Sequence, residues 1–183
     1  MRTLEYKEEL VSKLIKGERS AQFTFYKTYA DAMYNVSVRI VNNHDEAQDI
    51  LQKSFMDAFN NIHTYNGSST PGAWLKRIVI NNSIDYLRKQ KPVFQEIDHT
   101  IISLPDEEND EVDVRYQVDK VRRAIELLPD GYRTVLSLYL LEGYDHQEIG
   151  EILNITESTS KSQYSRAKLK LKELLKESKY STT

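Results

Sequence analysis

The chain contains no cysteine. That excludes disulfide frameworks and thiolate zinc sites, and it fits a reducing cytoplasm. Glycine occurs only 6 times and proline only 4 times in 183 residues. So few turn formers argue against a turn-rich β fold and for helices. No apolar stretch approaches the roughly 20 residues of a membrane span, so no membrane insertion is expected. The opening MRTLEYKEEL carries acids where a signal peptide would be basic and then apolar. No Gly-rich phosphate loop and no Ser/His/Asp set stands out, so neither an enzyme nor a cofactor is expected. His44, Asp45, Glu46 and Asp49 could suggest a metal, with His63 distant. Acids at a helix start are expected from the dipole alone, and no second His-x-x-x-His or His-x-x-x-Glu cluster supports a metal site. Excess positive charge is also missing: 25 Lys and Arg face 28 Asp and Glu, a formal net charge of −3.

The charge that is present is unevenly spread. Residues 1–92 carry 13 basic and 10 acidic side chains, residues 93–118 carry 1 and 8, and residues 119–183 carry 11 and 10. The negative charge therefore sits in one central stretch, and the flanks are slightly basic. Within them Lys76, Arg77, Arg88, Lys89 and Lys91 cluster, as do Lys161, Arg166, Lys168, Lys170, Lys172, Lys176 and Lys179. Such local clusters set the field that a phosphate backbone meets, although a solvated helix face would look the same.

Periodicity predicts an all-α chain. A first helix is expected from Leu4 to Lys16, capped by Thr3 and ended by Gly17, with a stripe of Leu4, Leu10, Val11, Leu14 and Ile15. A second covers about 19–41, with Phe23, Tyr26, Tyr29, Ala30, Met33 and Tyr34 at helical spacing. Asn42 and Asn43 break it. Asp45 is expected to cap a third helix to about Asn61, with Ala47, Ile50, Leu51, Phe55, Ala58 and Phe59 inward. The loop IHTYNGSST holds the Asn66-Gly67 turn signal, and Thr70-Pro71 starts a fourth helix to about Lys89. Residues 93–118, with the run DEENDEVD, read as a flexible acidic linker. A second helical unit restarts near Asp119. LPDG separates its first two helices, and Asp145 with Glu148 makes a capping-box pair on a short third. Thr156 caps a long last helix. The architecture expected is two helical domains, 1–92 and 119–183, joined by the linker 93–118.

Two motifs carry chemistry. YDHQEIGEILNITESTSKSQYSRAKLKLKELL reads as a helix-turn-helix. Its last helix places Tyr164, Ala167, Leu171, Leu174 and Leu175 on one face. Ser158, Lys161, Ser162, Ser165 and Arg166 lie on the other, as small donors and cations suited to base edges or phosphates. An αα-hairpin with a solvated face gives the same pattern more weakly. WLKRIVINNSIDYLRK lines Trp74, Ile78, Asn81 and Asp85 along one strip, with Arg77, Arg88 and Lys89 beside it. An aromatic ring, an amide and guanidiniums can hold an unstacked base. The plainer reading makes Trp74 core and pairs Asp85 with Arg88 or Lys89.

HDEAQDILQKSFMDAF, WLKRIVINNSIDYLRK, LPDGYRTVLSLYLLEGYDHQEIGEIL and TSKSQYSRAKLKLKELL resemble, in order and spacing, the extracytoplasmic-function sigma factors of bacterial RNA polymerase. The resemblance covers about residues 8–91 and 119–176. It implies a non-enzymatic subunit that directs core polymerase to promoters. It implies polymerase contacts by Asp49, Gln52 and Phe55. It implies a −10 base received by the loop of Tyr65, Asn66, Ser68 and Ser69, flanked by Arg77 and Asn81. It implies −35 reading by Lys161, Ser162, Ser165 and Arg166. Core RNA polymerase, promoter DNA and an anti-sigma factor are the partners implied. The sequence departs from the family at Ser160, usually a buried Val, and at Gln163, often an Arg that meets a phosphate. Gln48 and Lys53 stand where acids are frequent, and Lys53 bears on a polymerase contact. The rival class is a stand-alone helix-turn-helix regulator, which would need a dimer interface that the sequence does not suggest.

Overall fold

The computed structural model describes residues 2–90 and 114–180. Within them lie eight helices and no strand, in two compact units, 1–90 and 91–183. The acidic run of residues 106–113, and the rest of the expected linker up to residue 113, lie outside the described residues.

In the first unit α1 (Arg2–Ile15) leads to α2 (Arg19–Val41), α3 (His44–Asn60) and α4 (Pro71–Gln90). Helices α2, α3 and α4 pack mutually, and α1 lies on α2. The core between them holds Phe25, Ile40, Phe55, Ala58, Leu75, Val79, Ile80 and Ile84. Burying each large side chain contributes about 1.5–3 kcal/mol against the chain entropy. Small hydroxyls let two helices come close: Ser37 Oγ of α2 and Ser83 Oγ of α4 lie 3.1 Å apart, buried.

Several sequence expectations shift by a residue or a face. Thr3 lies inside α1 rather than capping it. Asn43, not Asp45, caps α3: its Oδ1 accepts from the Asp45 and Glu46 amides at 3.0 and 3.2 Å. Asn42 takes the left-handed conformation that ends α2, with its amide donating to Val38 O. On α2 the inward ring is Phe25, fully buried, whereas Phe23 is 62% exposed. On α1 Leu10 and Leu14 are buried and Ile15 is exposed.

In the second unit α5 (Val114–Glu126) begins five residues before the expected restart at Asp119. Then come α6 (Asp130–Leu140), α7 (His146–Leu153) and α8 (Glu157–Tyr180). Helix α8 packs on α5, α6 and α7. Leu128, Leu136 and Ala167 form a buried cluster against which Ile125, Tyr132, Leu171 and Leu174 pack. A buried cation pins the α5–α6 junction. Arg133 is 3% exposed, donates to Leu128 O at 2.8 Å and pairs with Asp130 Oδ1 at 2.6 Å. Nothing in the hydrophobic pattern singled it out.

Candidate nucleic-acid interfaces

In the first unit the site grows from the turn between α3 and α4. Ile62 is buried and anchors a short 3-10 turn, Ile62–Thr64. The chain then reverses at Asn66-Gly67. Asn66 Oδ1 accepts from the Ser68 amide at 3.0 Å, and Gly67 takes a positive φ of 76°. Tyr65 hydroxyl donates to Ser69 O at 2.5 Å, closing the loop on itself. Thr70 Oγ1 accepts from the Ala73 amide at 3.2 Å and starts α4, with Pro71 at its first position. The Asn66, Ser68 and Ser69 side chains are exposed and Tyr65 is half-buried.

Aromatic rings floor this loop. Tyr65 and Trp74 lie 5.7 Å apart. Trp74 is half-buried rather than core, because its ring lies against the loop instead of between helices. Tyr29 of α2 comes so near α4 that a Cβ at Gly72 would sit 2.6 Å from its ring. Burial, and then Tyr65 beside it, push the Tyr29 hydroxyl above its ordinary pKa, so it stays a neutral donor. On α4 Arg77 is half-buried and Asn81 exposed, three and seven residues beyond Trp74 and so on its side of the helix. Asp85 pairs with Arg88 at 3.6 Å, as the plainer reading had it.

Helix α3 presents the other face. Asp49 and Gln52 are exposed. Phe55 is not: it is 3% exposed, packed on Tyr26 at 4.8 Å and on Phe25 and Phe59 at 6.0 Å. The Phe55 ring is thus part of the unit's own aromatic cluster rather than of its exposed surface. The exposed apolar side chain on this stripe is Met56, 58% exposed and four residues beyond Gln52. The i+4 spacing from Gln52 was the available signal. Lys53 is occupied inside the unit: it donates to Asn82 Oδ1 and lies 3.7 Å from Asp57. Asn82 in turn donates to Ser54 Oγ and Asp57 Oδ2, both at 3.0 Å, tying α3 to α4.

In the second unit the capping box forms. Asp145 accepts from the Glu148 amide at 2.8 Å, and Glu148 accepts from the Asp145 amide at 2.9 Å. Asn154 turns left-handed, and Thr156 Oγ1 accepts from the Thr159 amide at 3.0 Å, opening α8. The turn is tight because Gly150 lacks a side chain; a Cβ there would lie 2.9 Å from Ile155 O. Ile149, Ile152 and Leu153 are buried, as the motif requires. On the outer face of α8 Lys161 is exposed and ion-paired with Glu157 at 2.6 Å. Ser162, Ser165 and Arg166 are half-buried. Ser160 and Gln163 face inward, 0% and 7% exposed. Gln163 therefore packs inside the unit instead of standing in an arginine's place on a phosphate.

Among the described residues no three potential metal ligands gather at one point, and no helix is long and apolar enough to cross a membrane. A four-helix unit with an aromatic-floored loop and a separate helix-turn-helix unit define the class of two-region promoter-recognition subunits. The sequence matches agree with that class. Residues 25–93 match the model of sigma-70 region 2, and residues 119–171 that of sigma-70 region 4. The ECF RNA polymerase sigma factor SigW of Bacillus subtilis (strain 168) is 30% identical over 181 residues, covering 91% of this chain and 95% of that one. SigM of the same organism is 33% identical over 150 residues, covering 81% and 91%. The chain belongs to the ECF family of RNA polymerase sigma factors, whose members are transcription initiation factors. That replaces the stand-alone regulator as an account of the chain. The fold is shared with the Bartonella quintana sigma factor RpoE, solved with the anti-sigma factor NepR (TM-score 0.56, 23% identity, 94% and 97% of the chains covered). It is shared also with CnrH, solved with the cytosolic domain of CnrY (TM-score 0.56, 19% identity, 93% and 97% covered).

Proposed function

We propose that this sigma factor divides promoter recognition between its two units. Residues 1–92 hold core RNA polymerase through the outward stripe of α3, Asp49 and Gln52 with Met56. The same unit receives an unstacked −10 base in the loop of Tyr65, Asn66, Ser68 and Ser69, with Arg77 and Asn81 alongside. Residues 119–183 lay the first half of α8 in the major groove of the −35 element. There Lys161 and Arg166 meet phosphates or guanine edges and Ser162 and Ser165 donate to bases. The linker, residues 93–113 ahead of α5, spans the distance between. The protein acts in the cytoplasm and performs no catalysis of its own. An anti-sigma factor that covers the α3 stripe would restrain it.

The observation that carries this reading is the division of α8 into faces. Ser160, Gln163 and Ala167 are buried, while Lys161 is exposed and Ser162, Ser165 and Arg166 are half-exposed beside it. The turn before it is fixed by Asp145, Gly150 and Thr156. The test is transcription by bacterial core polymerase, with and without this protein, on promoter fragments from its host. We expect promoter-specific transcripts that Lys161→Ala with Arg166→Ala reduces by about 10- to 100-fold, from the loss of two charge-assisted contacts. Full activity of that double variant would remove the assignment of α8.

A further inference from the structure

The aromatic and polar cluster where α6, α7 and α8 meet has no part in the contacts assigned so far. His146, the first residue of α7, lies face to face with Tyr139 of α6: ring centroids 4.5 Å apart, planes 15° apart. Tyr164 of α8 meets both rings, at 4.6 Å from Tyr139 and edge-on at 5.5 Å from His146. His146 Nδ1 is 2.9 Å from Ser160 Oγ, whose residue is fully buried in the first turn of α8. Four side chains from three helices thus converge one residue before Lys161.

Their mounting is held by local contacts. The capping box of Asp145 and Glu148 fixes the start of α7, and the close approach at Gly150 fixes its end against the turn. The imidazole is therefore carried on a set frame, and it reaches across to the helix whose outer face matters. Each residue of a helix turns the next by about 100°. Fixing the direction of Ser160 consequently fixes the directions of Lys161, Ser162, Ser165 and Arg166. Imidazole suits this place because it stacks and makes an in-plane hydrogen bond at once. A phenyl ring does only the first and a carboxamide mainly the second.

We propose that His146 is a positioning residue for upstream-element reading. Its hydrogen bond to Ser160, with the stack on Tyr139 and Tyr164, sets the rotation of α8 and so the aim of its outward side chains. This rests on the reading of α8 given under the proposed function.

The test uses the full-length protein with core polymerase. Initiation is measured on a responsive promoter and on versions with single-base changes in the upstream element. His146→Phe keeps the stack and removes the hydrogen bond; Ser160→Ala removes the same bond from the other side. Each is expected to reduce discrimination between intact and changed elements by about fivefold, the worth of one net hydrogen bond. The double variant should lose no more than either single one, and affinity for core polymerase should stay unchanged. A residue that only stabilised the unit would lower the melting temperature and total output while leaving base preference as it was. That pattern in both single variants would overturn the proposal. If His146→Phe does not fold, Ser160→Ala decides alone, and undiminished discrimination by it overturns the positioning role. Lys161→Ala with Arg166→Ala is run beside them. Should that pair retain base preference, the reading of α8 itself fails; should it lose preference while His146→Phe and Ser160→Ala keep it, only the positioning role fails.

Discussion

Phe55 and Met56 are neighbours in sequence with opposite settings, and the difference is measurable. Phe55→Ala removes a ring packed against three others and should destabilise the first unit by about 3–5 kcal/mol. Met56→Ala should change stability by less than about 0.5 kcal/mol, since the side chain is exposed. It should weaken core-polymerase binding by about 1–2 kcal/mol if the α3 stripe is the docking face. Denaturant unfolding and a polymerase-binding titration separate the two effects. His146 gives a second prediction, in pH. Burial and then Lys161 push its pKa below the ordinary 6.5, while Glu157 and Asp145 pull it up less. Tyr139 and Tyr164 complete its surroundings; the Tyr164 hydroxyl is itself pushed upward and stays neutral. The folded state thus binds this proton less readily than the unfolded chain does. Stability from neutral His146 is whole above about pH 6.5 and is lost as pH falls from there through the lower folded value. Thermal melts of the full-length protein between about pH 7.5 and 5.5 should show this loss, and His146→Phe should flatten it. An equal slope in the variant would assign the acid sensitivity to other groups.

At the scale of elements, most of what was legible came from capping chemistry and spacing. Asp145 with Glu148, Thr156 and Thr70-Pro71 stand where the sequence placed them, because a side-chain oxygen three residues before an amide is a local signal. Asn43 outcompeted Asp45 as a cap for an equally local reason, since two Asn precede the acids and either could end or begin a helix. Faces were harder to read. The stripe expected on α2 runs through Phe23, while Phe25, on the opposite side of the helix, is the ring that packs on Phe55 and Phe59. The inward turn of Gln163 and the burial of Arg133 are equally invisible to periodicity, because polar residues count as outward in any such pattern. These junctions can be tested directly. Gly150→Ala places a Cβ 2.9 Å from a backbone oxygen that cannot swing aside, so the turn must open. It should cost the second unit about 1–3 kcal/mol, read by thermal unfolding. Arg133→Met keeps the packed stem but leaves Leu128 O without this donor. It should cost a similar 1–3 kcal/mol, where an exposed arginine would cost almost nothing.

At the scale of the whole molecule, the question is why two small helical units share one chain. Each has its own core, and the second, whose first helix α5 begins at Val114, approaches the lower size at which a domain folds alone. Promoter elements about 17 base pairs apart lie roughly 58 Å apart along the duplex. A relaxed linker of about 25 residues spans only about 25–30 Å, though fully extended it reaches roughly 80 Å. Eight acids fall in residues 93–113, before α5 begins. If each unit reads one element weakly, as proposed, joining them in one chain gives an effective local concentration of order millimolar once either has bound. The covalent connection, more than the affinity of either unit, should therefore decide activity. Residues 1–92 and 114–183 supplied as separate, folded chains at micromolar concentration should bind core polymerase through the first yet start transcription far less than the intact protein. The deficit should be about 100-fold, within the range that such tethering supplies. Restored connection by a neutral linker of equal length should recover most of it, and any shortfall measures what the acids add. Equal initiation by the separate halves would mean that the upstream element is dispensable or that polymerase alone brings the two units together.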